Sequence, residues 1–207
     1  MGFSFCAEKH MFPIFLKLES RPVLVVGAGA IAEGKIEGLV AERASVKVIA
    51  PEATPQIRQW ASAGVVEWEQ RPYGPGDLEG KFLVIVSTSS PEVNAQVFTD
   101  AQANGILCNA VDDPKNCDFY YAAVVKRGDL QIAISTAGRS PALSQRIRQE
   151  LEQQFGPEYE AWVAELGKQR DALVAEDLDS EARKRILHEL ASRRSFETRA
   201  TAPGGGN

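Results

Sequence analysis

No stretch of this chain approaches the roughly 18–20 consecutive apolar residues needed to span a bilayer, so no membrane segment is expected. The first ten residues lack the basic-then-apolar pattern of an export signal, and a cytoplasmic location is expected. Met11 stands as an alternative start, because the organised pattern begins just after it. Cysteine is scarce: Cys6, Cys108 and Cys117 are odd in number and show no CxxC spacing. That argues against a disulfide framework or a zinc site and for a reducing compartment. His10 and His188 are the only histidines and lie far apart, so no preformed metal site is expected. An excess of basic residues is also missing, since 23 Lys and Arg face 28 Asp and Glu for a net charge of −5. Such a field favours neither nucleic acid nor an anionic membrane. There is no internal repeat, and the Gly-rich end, residues 200–207, is expected to be disordered.

What the chain does have is an alternation of apolar strands and helical stretches. Pro22–Val26, Val46–Ile49, Val65–Trp68, Phe82–Val86 and Ile106–Cys108 read as strands, with helices expected over 30–43, 56–63 and 91–104. This rhythm is that of βαβ units and a mainly parallel sheet, whose ligands lie beyond the carboxyl ends of the strands. The fold class expected is therefore α/β, a Rossmann-type sheet. After Asp112 the rhythm changes. Phe119–Val125 and Leu130–Ser135 read as a β-hairpin turning across Lys126–Asp129. Ser140-Pro141 then opens a helix with Leu143, Ile147, Leu151 and Phe155 on one face, and Gly156-Pro157 breaks it. Further helices are expected over 159–173 and from Ser180, which is read as a cap. Both alternating residue sets of the hairpin are apolar, so it needs cover on two sides, and a second copy of the chain would supply it. The organisation expected is a nucleotide-binding domain over 1–113, a dimerisation and substrate-facing region over 114–150, a helical region over 151–199 and a tail over 200–207.

The segment Gly27-Ala-Gly29-Ala-Ile-Ala32 carries the most chemistry, because it matches the GxGxxA dinucleotide fingerprint between a strand and a helix. The first glycine allows the tight turn and the second lets backbone approach a pyrophosphate. The small third residue lets helix and strand pack closely. Gly27, Gly29, Ala30 and Ile31 are thus expected to hold NAD through N–H groups of the helix start. The acid that usually ends the second strand and reads the adenosine ribose is absent, since that position holds Ala50. Pro51 and Glu52 are placed near the adenosine, and Glu52 or backbone is left to bind the ribose. No arginine stands there for a 2′-phosphate, which favours NAD over NADP. Between Lys126 and Arg148 five cations face Asp129 alone. They suit an anionic ligand, or equally a solvated helix face with pairs such as Arg146–Glu150 and Arg148–Glu152.

With these residues in hand, the chain resembles the precorrin-2 dehydrogenase / sirohydrochlorin ferrochelatase family, which includes the N-terminal module of bifunctional sirohaem synthases. The landmarks are Met11-Phe-Pro-Ile-Phe-Leu-Lys-Leu18, Val25-Val-Gly-Ala-Gly-Ala-Ile-Ala-Glu-Gly-Lys35, Val48-Ile-Ala-Pro51, Cys108-Asn-Ala-Val-Asp112 and Ile134-Ser-Thr-Ala-Gly-Arg-Ser-Pro141. Ala28 replaces the middle glycine of the family's usual turn, and Ser87-Thr88-Ser89 replaces its frequent Ala-Thr-Asp. The methyltransferase half of the bifunctional members is absent from these 207 residues. The resemblance implies oxidation of precorrin-2 to sirohydrochlorin with NAD⁺, in some members with insertion of Fe²⁺ as well, and a homodimer. It implies that Asp112 removes a proton and that Ser87 and Thr88 lie at the cofactor. Spacing alone leaves Asp112 open between that role and capping the turn Asp112-Asp113-Pro114. Precorrin-2 carries eight carboxylates, and Arg139, Arg146 and Lys35 are the candidates to meet them. Two other readings compete: an NAD(H)-sensing regulatory module without catalysis, and an assembly subunit with a vestigial site.

Overall fold

The computed structural model describes residues 11–176 and 178–200, the side chains of 198–200 excepted. Cys6, His10 and the tail from residue 201 lie outside the described residues. The chain divides into two compact units, Met1–Tyr120 and Tyr121–Asn207.

The first unit is a five-stranded parallel sheet of β1 (Pro22–Val26), β2 (Ser45–Ile49), β3 (Glu67–Glu69), β4 (Leu83–Val86) and β5 (Leu107–Ala110). Its strand order is β3-β2-β1-β4-β5. The crossovers are α1 (Ala30–Ala41), α2 (Pro55–Ser62) and α3 (Pro91–Ala103). Strand parity explains how one sheet makes two cores. Val23, Val25, Val46, Val48, Leu83 and Ile85 point to one face and pack with Ala32, Ile36 and Leu39 of α1 and Ile57 of α2. Leu24, Val26, Val84, Val86 and Cys108 point to the other and pack with Val97 and Ala101 of α3. Burying a single such aliphatic side chain stabilises by about 1.5–3 kcal/mol, and here both faces of the central strands are covered.

The helices start where local chemistry lets them. Thr54 and Ser90 cap α2 and α3, each accepting from a backbone N–H three residues on, and each is followed by proline at the first helical position. The third strand is shorter than its apolar run suggested, because the turn at Gly64 leaves Val65 exposed and pairing begins only at Glu67.

The second unit starts with the antiparallel pair β6 (Ala123–Arg127) and β7 (Leu130–Ile134). The hairpin begins at Ala123 rather than Phe119, and Gly128 turns it with φ of 55°. Helices α4 (Pro141–Gln154), α5 (Glu158–Ala175), α6 (Ser180–Leu190) and α7 (Arg193–Ala200) follow. Ser140 caps α4 as expected. The cap of α6 is Asp179, whose carboxylate accepts from the Ala182 N–H, so Ser180 is the first helical residue instead. An aromatic cluster of Phe155, Tyr159, Trp162 and Phe196 ties α5 to α7, with ring centroids 4.6–5.5 Å apart.

Candidate functional site

The strand order reverses between β1 and β4, and that is where an open parallel sheet leaves a crevice for a ligand. Backbone hydrogen bonds continue the sheet past its strand ends and line up the loops there. Gly27 N donates to Ile49 O at 2.9 Å, Ser87 N to Val26 O at 2.8 Å and Val111 N to Val86 O at 2.8 Å. The Gly27 turn, the Ser87–Thr88 loop and Val111–Asp112 therefore form one ledge. Thr54 N donates to Ala28 O at 3.1 Å, which brings the loop after β2 to the same turn.

The two glycines of the fingerprint do different work. Gly27 has φ of 100°, and a Cβ there would lie 2.2 Å from Ser87 O, so no other residue fits. Gly29 has an ordinary φ of −85°, and a Cβ there would meet nothing within 4 Å. It is the cap residue of α1 and brings no side chain to the first turn. Ala30 and Ile31, whose N–H groups have no intrahelical acceptor, are both exposed at this uncapped helix start. Ala32, the small third residue, is fully buried against the sheet. These features fit a pyrophosphate: a steric hole over an uncapped helix start, held by a turn that only glycine can make.

Around this turn the other candidates fall into place unequally. Pro51 and Glu52 are exposed in the loop after β2, and Ala50 is buried with its carbonyl accepting from Trp68 Nε1 at 3.1 Å. Ser87 lends its carbonyl to the close approach of Gly27. Thr88 is fixed by a network that the linear sequence did not disclose. Its Oγ1 donates to Asn94 Oδ1 at 2.6 Å and accepts from Ser90 N, while Asn94 Nδ2 donates to Thr88 O at 3.3 Å. Asn94 is buried on α3, so it ties the loop to a rigid element.

Asp112 follows β5 on the ledge, in left-handed backbone at φ of 62°, a conformation that Asp and Asn tolerate better than most residues. The turn that follows is capped by its neighbour. Asp113 accepts from Lys115 N at 3.3 Å and from Asn116 Nδ2 at 2.7 Å. Asp112 is exposed, and Val111 before it packs against the α1-side core. Lys35, half-buried on α1, faces Asp112: burial lowers the lysine's pKa, and the Asp112 carboxylate opposes that shift. Cys108 is a buried thiol, pushed up to about 12 by burial first and then by Asp118 and Cys117, which makes it inert. Asp118 and Asn109 lock the segment beyond the turn back onto β5, through Cys108 N to Asp118 Oδ2 at 2.8 Å and Asn109 Nδ2 to Phe119 O at 2.7 Å.

Arg139 and Arg146 belong to the second unit. Arg139 is exposed in a loop where Ala137 and Gly138 both take positive φ. Arg146 pairs with Glu150 at 3.2 Å, and Arg148 pairs with Glu152, so the helical i,i+4 pairing of these cations is realised. Among the described residues no group of three or more His, Cys, Asp or Glu is placed to hold a metal ion, and no helix is long and apolar enough to cross a membrane.

Comparison with known proteins agrees with this architecture. A family model described as "Putative NAD(P)-binding" matches residues 14–123, and one described as "Sirohaem biosynthesis protein central" matches residues 127–154. Siroheme synthase 1 of Aeromonas hydrophila is 39% identical over 181 residues, covering 87% of this chain and 39% of that protein. The siroheme synthase of Chromobacterium violaceum is 38% identical over 178 residues, covering 86% of this chain and 38% of its own. The chain thus spans about two-fifths of the length of these curated relatives. A solved structure of SirC, precorrin-2 dehydrogenase, superposes with a TM-score of 0.78 at 28% identity, over 91% of this chain and 98% of that one. An NAD(P)-binding sheet with a glycine turn only glycine can form, followed by the sirohaem-type central segment, places this chain in the family of the sirohaem synthase N-terminal module and SirC precorrin-2 dehydrogenase.

Proposed function

We propose that the chain oxidises precorrin-2 to sirohydrochlorin, with NAD⁺ as the oxidant, and that Asp112 is the proton acceptor. The observation that carries this reading is the position of Asp112. It stands on the same strand-end ledge as the Gly27 turn, exposed, while Asp113 does the capping of the turn behind it. The name and near-complete overlap of the SirC structure support the choice of substrate. When bound, the nicotinamide accepts the hydride. Gly27, Gly29, Ala30 and Ile31 hold the pyrophosphate, Pro51 and Glu52 flank the adenosine, and Ser87 and Thr88 position the nicotinamide end. One C–H bond of the substrate breaks with its electron pair leaving as hydride, and a neighbouring proton passes to the Asp112 carboxylate and on to water. The electrons left behind become the new double bond, so the products are sirohydrochlorin, NADH and one proton.

Lys35, Arg139 and Arg146 bind carboxylates of the anionic tetrapyrrole. Where iron insertion follows, Fe²⁺ is a substrate that takes the tetrapyrrole nitrogens as ligands, with Asp112 receiving the displaced protons. The chain acts as a homodimer joined through its second unit. In that unit α4 and α5 cover one face of the hairpin. The other face carries the directly paired Val124 and Ala133 in the open. An exposed two-stranded sheet with open edges invites pairing by a symmetric copy.

The test is incubation of the chain with precorrin-2 and NAD⁺, followed by absorbance. Sirohydrochlorin and NADH should appear in equal amounts. Tight NAD⁺ binding with no oxidation of precorrin-2 would instead favour a nucleotide-sensing module.

A further inference from the structure

We infer that residues 11–17 form an arm that docks on the hairpin of a second copy of this chain, each copy lending its arm to the other. The inference rests on the proposed homodimer joined through the second unit, and it names the contact that completes that dimer. Of the exposed large apolar side chains among the described residues, Met11, Phe12, Ile14, Phe15 and Leu16 fall within six consecutive positions. Phe12 is 86% exposed and Phe15 66%. Among the described residues, none from 11 to 17 makes a hydrogen bond, and none lies in a helix or strand. The arm nevertheless has a fixed root. Leu18 packs on the α1-side core, Arg21 N donates to Leu18 O at 2.8 Å and Ser20 N to Arg43 O at 2.9 Å. Seven extended residues reach about 23 Å from that root. An apolar run this dense, held out in water, marks a surface that another protein covers.

Area decides what covers it. Strands β6 and β7 are five residues each. Their open face therefore measures about 17 Å by 10 Å, under about 200 Å². A lasting interface buries about 800 Å² on each partner, so hairpin against hairpin falls short by about fourfold. The arm supplies the missing surface, since its two phenylalanines alone can bury about 300–500 Å². Form agrees with area. Residues 12–16 match either hairpin strand in length, and extended backbone sends Phe12, Ile14 and Leu16 to one side. Residues 11–16 carry no charge, as suits the apolar pair Val124 and Ala133 on the open face. The hairpin is a two-stranded sheet, so each strand has one edge without a ladder. Such an edge accepts an extended segment whose backbone is unpaired, and Pro13 is tolerated in an added edge strand. In a twofold dimer the contact is made twice, arm on hairpin in each direction.

Light scattering of the full chain and of two variants, alone and mixed in equal parts, tests this. The arm variant carries Phe12→Ser and Phe15→Ser, and the hairpin variant carries Val124→Lys. All three side chains are exposed, so both variants should keep the wild-type unfolding midpoint. Each alone should dimerise about a hundredfold more weakly than wild type, because both of its contacts are spoiled. The mixture should recover. In a mixed pair the intact arm of the hairpin variant meets the intact hairpin of the arm variant, so the heterodimer should be at least about tenfold tighter than either variant with itself. Neither a hairpin-to-hairpin contact nor an arm bound to its own chain gives that recovery. A mixture no tighter than its components would overturn the inference, as would wild-type dimerisation in either variant. A wild-type dimer with these results would leave the homodimer standing and remove only the arm. A wild-type monomer would remove the homodimer itself, and this inference with it.

Discussion

In the first unit the sheet is covered on both faces, and Val23, Leu24, Val25, Val48, Val84 and Ile85 are each fully buried. In the second unit Val125 is the one described hydrophobic residue with that degree of burial, and Val124 beside it is 40% exposed. Both units have β-strands with helices packed on them, yet only the first closes its own core. The contrast separates two uses of apolar sequence. A parallel sheet sandwiched by crossover helices satisfies itself, so its loops are free to carry a cofactor. A two-stranded hairpin with helices on one side leaves an apolar face open, which a second copy covers in the homodimer proposed above.

The self-sufficiency of the first unit is most exposed to a change at Gly27. Gly27→Ala forces a side chain into left-handed backbone and against Ser87 O, and should destabilise the first unit by about 3–5 kcal/mol. Denaturant unfolding reads this directly, and wild-type stability would mean that the turn is not as tight as described. The same motif offers the opposite outcome two residues on. Gly29→Asp has room for its side chain, so the unfolding midpoint should hold. NAD⁺ affinity should fall by about a hundredfold or more, because a carboxylate then occupies the place of the pyrophosphate. Undiminished affinity in that folded variant would sink the assignment of the cofactor site.

The second unit should answer differently. Light scattering at micromolar concentration should give a dimer for wild type. Val124→Lys should shift it toward monomer, while leaving the first unit's NAD⁺ affinity within about twofold. A wild-type monomer would refute the exposed hairpin face as an interface. The smallest effect on stability is expected at Arg146. Its pair with Glu150 is largely solvated on both sides, so Arg146→Ala should cost at most about 0.5 kcal/mol. The measurement of interest there is the Michaelis constant for precorrin-2. It should rise with little change in kcat, since a carboxylate clamp acts alike on ground and transition states.

What could be read from sequence followed the range of the interactions involved. The Gly27 turn, the Ser140 cap and the break at Gly156-Pro157 are local, and each is where its residues put it. The five strands are legible because their apolar runs are buried on both faces, although β3 is displaced by the turn at Gly64. Pairings between neighbours of the same type were less legible. Asp112 and Asp113 are chemically equal on paper, and only the fold hands the capping role to Asp113. Asp179 takes the cap of α6 that Ser180 suggested, a shift of one residue that composition cannot resolve. The bond from Arg58 to the Ala53 carbonyl is not legible either, because nothing at the strand end signals it. The helix brings a side chain back to Ala53 from five residues on. The Thr88–Asn94 tie is invisible for the same reason, since it joins a loop to the interior of the next helix.

Whether Asp112 does chemistry at the dinucleotide site, as proposed, is tested most directly by Asp112→Asn. Asparagine keeps the size of the side chain and tolerates the left-handed backbone at φ of 62°, so the fold and NAD⁺ affinity should be retained. It cannot accept the proton. With precorrin-2 and NAD⁺, kcat should fall by about 10²–10⁴-fold with the Michaelis constant little changed. A kcat near that of wild type in the folded, NAD⁺-binding variant would contradict the claim and leave Asp112 without a part in proton transfer.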